Sequence, residues 1–136
     1  MPRMMRVRDR MRPGAVAVAW DDGADAAFAR MRGARLDALP VVKDHRVIGL
    51  LERAAAPARP GGSDRSGSVR VASLMRRGVF VCRADDTLEH ALATMDRLEV
   101  DLLAVVDRAG RVIGAIDRDG DDGPLRRLVP TLYGSY

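Results

Sequence analysis

The sequence predicts a mixed α/β (α+β) fold: two tandem β-α-β-β-α units related by a pseudo-two-fold axis. Three observations lead there. First, the chain matches itself at an offset of 64, residues 6–42 falling on 70–106, and after one inserted residue 46–53 falls on 111–118. The copies share 19 identities over the 48 positions from Arg6 to Arg53, at a period too long for a solenoid repeat. Second, each copy alternates short apolar runs of strand length with a segment of helical period. Third, the copies are separated by AAAPARPGGSDRSGS (54–68), a Pro/Gly/Ser-rich stretch of flexible-linker composition. The expected division is 5–56 for the first unit, 57–68 for the linker, 69–128 for the second unit and 129–136 for a tail. Units of this size bury too little surface to be stable alone, so the two are expected to fold as one body.

Each element follows from local pattern. VRDRM (7–11) and VASLM (71–75) read as short lead-in helices, and AVAVAW (15–20) and VFVCRA (79–84) as short strands. A helix then begins at the Asp pairs. Asp22 is a candidate N-cap with Asp25 three residues on, and Asp86 has Glu89 three residues on, as in a capping box. Ala24, Ala27, Phe28 and Met31 correspond to Leu88, Ala91, Leu92 and Met95, the stripe of one buried helix face. Gly33 is the expected C-cap. ALPVVK (38–43) and LLAVVD (102–107) are apolar runs too short for helices, hence buried strands. Asp44-His45 and Arg108-Ala109-Gly110 turn them into VIGLL and VIGAI as hairpins, and the single insertion falls in this turn. Pro124 would open a last helix through Leu128.

Composition bounds the function. The chain has 136 residues, 47% hydrophobic and 31% charged, a globular balance. No apolar run approaches the roughly 18 residues of a membrane span, and the N-terminal MPRMMRVRDRMRPG has no apolar core, so a cytoplasmic protein is expected. The single cysteine, Cys82, excludes an intrachain disulfide and lies in an apolar run as a buried thiol. His45 in a turn and His90 on a polar helix face have no nucleophile motif beside them, so no catalysis is expected. The acidic run 117–123 has Asp at positions one, three and five of a calcium loop but Asp122 where Gly is required and Leu128 in place of the final Glu, so no metal site is expected. Net charge is +4, and Arg3, Arg6, Arg8, Arg10 and Arg12 crowd the N-terminus, which keeps an anionic partner open.

Taken in order and twice over, these motifs resemble the CBS domain. The carrying residues are the Met-Arg-x-Gly lead-in, the Asp-Asp pair opening the helix, Leu39-Pro40-Val41-Val42 with Val47-Ile48-Gly49-Leu50-Leu51, and Leu103-Ala104-Val105-Val106-Asp107 with Val112-Ile113-Gly114-Ala115-Ile116. A tandem pair is a Bateman module. The resemblance implies a homodimer and an adenosyl ligand, AMP, ATP or S-adenosylmethionine, held in a cleft between the repeats. It places adenine against Val16, Ala17, Ala38, Leu39 and Pro40 in copy one, and against Phe80, Val81, Leu102, Leu103 and Ala104 in copy two. It also asks for Gly-x-x-Thr-x-x-Asp after the third strand, Thr for phosphate and Asp for the ribose hydroxyls. Copy one has Glu52 for Thr and Ala55 for Asp, with Arg53 between them. Copy two has Asp117 for Thr and Gly120 for Asp, with Asp119 one residue early. Asp117 or Asp119 would then take the ribose, and Arg118 or Arg108 the phosphate. The reading is a regulatory module that senses a nucleotide for a protein partner. The alternative is a scaffold or nucleic-acid-binding module with vestigial ligand sites.

Overall fold

The computed structural model describes residues 4–14, 16–56 and 69–118. Its first half runs through a 3-10 turn (Val7–Asp9), β1 (Arg12–Pro13), β2 (Val18–Ala19), α1 (Ala24–Ala34), β3 (Ala38–Lys43), β4 (Arg46–Glu52) and a 3-10 turn (Arg53–Ala55). Its second half runs through α2 (Val71–Leu74), β5 (Arg76–Arg77), β6 (Val81–Arg83), α3 (Leu88–Leu98), β7 (Leu102–Val106) and β8 (Val112–Asp117). The linker 57–68, Asp119, the helix expected after Pro124 and the tail 129–136 lie outside the described residues.

Two four-stranded sheets form, in the orders β2-β3-β4-β5 and β1-β8-β7-β6. β2 runs parallel to β3 and β6 to β7, and β3 and β7 pair antiparallel with β4 and β8 through the expected hairpins. Asp44 and His45 both take positive φ (51° and 67°), as a two-residue turn of the mirror-image type needs. The longer turn ends at Gly110 with φ 86°.

The outer strand of each sheet comes from the other repeat. Arg12 and Pro13 pair with Ala115 and Gly114, while Arg76 and Arg77 pair with Leu50 and Gly49. The exchange continues beyond the strands. Val7 N–H donates to Asp86 O (2.8 Å) and Arg8 N–H to Ala84 O (3.1 Å), mirrored by Val71 to Asp22 O and Ala72 to Trp20 O (both 2.9 Å). The first amides of the long helices, which have no intrahelical acceptor, are satisfied the same way. Leu88 N–H donates to Met5 O (2.9 Å) and Ala24 N–H to Val69 O (2.8 Å). Each lead-in thus covers a sheet edge that would otherwise offer unpaired backbone groups.

This close approach explains the glycine in VIG. A Cβ on Gly114 would sit 2.5 Å from the Arg12 carbonyl oxygen, and one on Gly49 2.8 Å from that of Arg76. The main core runs through both repeats, joining Phe28, Met31, Leu39, Leu50 and Leu51 to Met95, Leu102, Leu103 and Ile116, with a smaller cluster of Val47, Ala104 and Val106 beside it. Val7 and Val71, the anchors of the two lead-ins, are fully buried in it.

The caps differ from expectation by a residue or two. Gly23 and Thr87 are the N-caps, and only Thr87 uses its side chain, accepting from His90 N–H at 3.0 Å. Asp22 and Asp86 instead accept from Ala19 and Arg83 N–H (both 2.9 Å), closing the turn before the helix. Their short carboxylates reach back to that turn more readily than forward. Gly33 lies inside α1, and the left-handed C-cap positions are Arg35 (φ 56°) and Glu99 (φ 57°). The backbone stops there because Leu36 and Val100 must turn inward to the core. On α3, Leu88 and Leu92 are only partly buried, and Thr94 is buried instead.

Candidate functional site

The strand register gathers the expected adenine-wall residues at one end of each sheet. In repeat one Ala38 lies opposite Glu52 and Leu39 opposite Leu51. In repeat two Leu102 lies opposite Asp117 and Leu103 opposite Ile116. Val81 is in parallel register with Ala104, whose N–H donates to Phe80 O at 2.9 Å. Pro40 occupies the matching place in repeat one and has no N–H, so that bond has no counterpart. Ala38, Leu39, Pro40, Phe80, Leu102, Leu103 and Ala104 are buried, whereas Val16, Ala17 and Val81 are half-buried and keep an accessible side.

The polar residues divide differently. Glu52 and Asp117 are half-buried at the ends of β4 and β8. Arg118 is tied down: Nε donates to Asp101 at 3.1 Å, Nη1 to Asp96 at 2.6 Å and Nη2 to the Val100 carbonyl at 3.3 Å. Its hydrogen bonds to Asp96 first, then to Asp101, raise its pKa further above the ordinary arginine value. A phosphate at Arg118 would have to displace two carboxylates. Arg53 is exposed and among the described residues its side chain bonds Asp37 alone, at 3.3 Å, the place of Asp96 being taken by Arg32 in repeat one. The β7–β8 hairpin carries Arg108 to the end of the ladder opposite to Asp117, roughly 15–20 Å away at about 3.3 Å per residue. Arg108 therefore cannot serve the same ligand as Asp117. Asp119 lies outside the described residues.

Among the basic N-terminal residues, Arg6 Nη1 donates to Asp85 O (2.9 Å), Arg8 pairs with the Asp85 carboxylate, and Arg12 Nη2 donates to Ala34 O (3.0 Å). These arginines fasten one repeat to the other or cap a helix, which weakens the case for a phosphate-backbone arm. Cys82 is buried, and burial, with a smaller push from Asp86, raises its thiol to about 12, so it is an unreactive core group. Among the described residues no cluster of three or more His, Cys, Asp or Glu could hold a metal ion, and no helix is long and apolar enough to cross a membrane.

One cavity was not anticipated. It lies in repeat one between the C-terminal end of α1 and the turn Arg53–Ala55, has a volume of about 380 Å³, and carries Arg32, Arg35 and Arg53 on its wall. A signal for it existed in the self-alignment: Arg32 and Arg35 fall on Asp96 and Glu99, a reversal of charge at both places.

Residues 7–54 and 71–119 each match the CBS domain family model. The chain belongs to the CBS domain family. Its two CBS domains are the two repeats, and solved structures share the arrangement. Protein MJ1004 from Methanocaldococcus jannaschii superposes with a TM-score of 0.75 at 21% identity over 96% of this chain, which spans 66% of that protein's length. CBSX2, solved in complex with AMP, gives 0.68 at 21% identity over 85% of this chain and 92% of its own. The CBS domain pair of protein MJ0100, solved with 5′-methylthioadenosine and S-adenosyl-L-methionine, gives 0.70 at 18% identity over 91% of this chain and 98% of its own. At such identities the likeness speaks for the fold.

Proposed function

We propose that this CBS pair is a non-catalytic regulatory module that senses an adenosyl ligand in the cleft between its repeats and passes the change to a protein partner. The observation that carries the reading is the recurrence of the adenosyl group in structurally similar CBS proteins, AMP in CBSX2 and 5′-methylthioadenosine with S-adenosyl-L-methionine in MJ0100. The clustering of wall residues beside a carboxylate at the ends of β3–β4 and β7–β8 supports it. Repeat two is the better site. It offers the carboxylates of Asp117 and Asp119 for the ribose hydroxyls, whereas repeat one has Ala55 at the ribose position. The charge at these positions favours the S-adenosylmethionine end of the class over AMP and ATP. Glu52 stands where phosphate would need a donor in repeat one, and in repeat two Arg118 is held by Asp96 and Asp101. A sulfonium meets no such repulsion. A homodimer paired through the helices, as in the family, would carry the signal outward.

Calorimetric titration of S-adenosylmethionine, AMP and ATP into the full chain tests this. S-adenosylmethionine should bind most tightly, and Asp117→Ala or Asp119→Ala should weaken it by about ten- to a hundredfold, the loss of a charge-assisted hydrogen bond. ATP binding more tightly than S-adenosylmethionine would overturn the ligand order. No heat from any of the three would leave the scaffold reading in its place.

A further inference from the structure

We propose that the corner of repeat one between the end of α1 and the turn Arg53–Ala55 binds a small amphipathic oxyanion: an apolar ring or chain bearing a phosphate or carboxylate. It adjoins the end of β3–β4 in repeat one, since Asp37 precedes Ala38 and Arg53 follows Glu52, but its wall is the C-terminal end of α1 and not the expected adenine-wall residues Ala38, Leu39 and Pro40. The cavity of about 380 Å³ is within the range of small-molecule pockets. Its apolar wall is Phe28, Met31 and Leu36, and among the described residues its charged wall is Arg32, Arg35 and Arg53 against Asp37. Among the described lining residues two positive charges are left in excess. Asp37 already accepts from Arg53 at 3.3 Å, while neither Arg32 nor Arg35 has a side-chain hydrogen bond or ion pair among the described residues. Free guanidiniums beside an apolar floor suit an oxyanion, which each can hold through two parallel hydrogen bonds.

One effect opposes an anion here, the partial negative charge at the C-terminal end of α1. Arg12 offsets it by donating to the Ala34 carbonyl at 3.0 Å. Repeat two supplies an internal control. Its equivalent corner carries Asp96, Glu99 and Asp101 with Arg118 bonded to two of them, so the same backbone there repels anions.

The test is titration of phenyl phosphate, benzoate and inorganic phosphate into the full chain and into the variant R32D/R35E. That variant installs the residues repeat two carries at these places, which the same local backbone accommodates. Phenyl phosphate, benzoate or both should bind saturably, and their ranking tells a phosphate head from a carboxylate. Inorganic phosphate should bind at least tenfold more weakly, having no apolar part. R32D/R35E should lose tenfold or more while S-adenosylmethionine titrates as in the parent chain, so that failure of this site and failure of the adenosyl reading are distinguishable. If R32D/R35E melts early, R32Q/R35Q replaces it with the same expectation. Undiminished affinity in a folded variant, no saturable binding of either aromatic probe, or displacement of phenyl phosphate by S-adenosylmethionine would each overturn the proposal.

Discussion

At the end of α1 and at the end of α3, the chain takes the same path with opposite charge. Both helices stop on a left-handed residue, Arg35 or Glu99, and both are capped by a lead-in arginine. Arg12 donates to Ala34 O, and Arg76 donates to Leu98 O (2.6 Å) and Glu99 O (2.8 Å). Around that shared frame, Arg32, Arg35 and Arg53 gather in repeat one, whereas Asp96, Glu99 and Asp101 surround Arg118 in repeat two. Surface charge is thus nearly independent of the fold here. The frame is fixed by buried side chains and backbone bonds, so the exposed positions are free to specialise.

The equivalence of the two frames can be challenged from the core outward. Leu39 and Leu103 occupy matching places and are 1% and 0% exposed. Truncating either to Ala should cost about 2–5 kcal/mol, similar in the two repeats, and should leave one unfolding transition because the core is shared. Two separated transitions in a thermal melt would show the repeats to be independent. Next come the glycines under the exchanged strands. Gly114→Ala and Gly49→Ala should each cost about 1–3 kcal/mol by overpacking. Gly114→Ala should be the worse, since its new methyl meets a carbonyl at 2.5 Å rather than 2.8 Å. Chemical denaturation of both variants gives the order directly.

Smaller effects sharpen the comparison at the surface. Glu99→Gly and Arg35→Gly should each stabilise by about 0.5–1 kcal/mol, because glycine adopts the left-handed conformation without the Cβ clash. Equal melting temperatures for parent and variants would show the strain to be absent. Arg118→Ala should lower the melting temperature more than Arg53→Ala, since Arg118 holds two carboxylates and Arg53 one. Salt should shrink that difference, as it does for exposed ion pairs.

How much of this was legible in the sequence depends on range. The hairpins, the buried LPVV and LLAVV strands and the α1 stripe follow from spacing within a dozen residues, and the structure has them. Exchange of the lead-ins was not legible. A two-residue strand has no periodicity, and its partner stands about 100 residues away at β1 (Arg12 with Ala115). The clue was Gly49 and Gly114, read only as parts of a motif. The caps slipped because an Asp before a helix can bond backward or forward, and residue type does not say which. For the ligand residues, pattern placed the wall positions, but the hydrogen bonds that occupy Arg118 and the distance that removes Arg108 are properties of the folded chain. The basic corner was missed because Arg32 and Arg35, taken singly, look like an ordinary solvated helix face.

The reciprocal lead-ins carry a consequence for how such a chain can be divided. Two separate half-chains making these same contacts would constitute a strand-swapped dimer, the same patch on each half meeting its counterpart. Covalent connection turns that encounter into an intramolecular event, at an effective concentration on the order of millimolar. Cutting the chain between Ala56 and Val69 would remove this advantage and none of the described backbone bonds. The nicked protein should therefore stay assembled at high concentration and come apart on dilution, its stability now a function of how much of it there is.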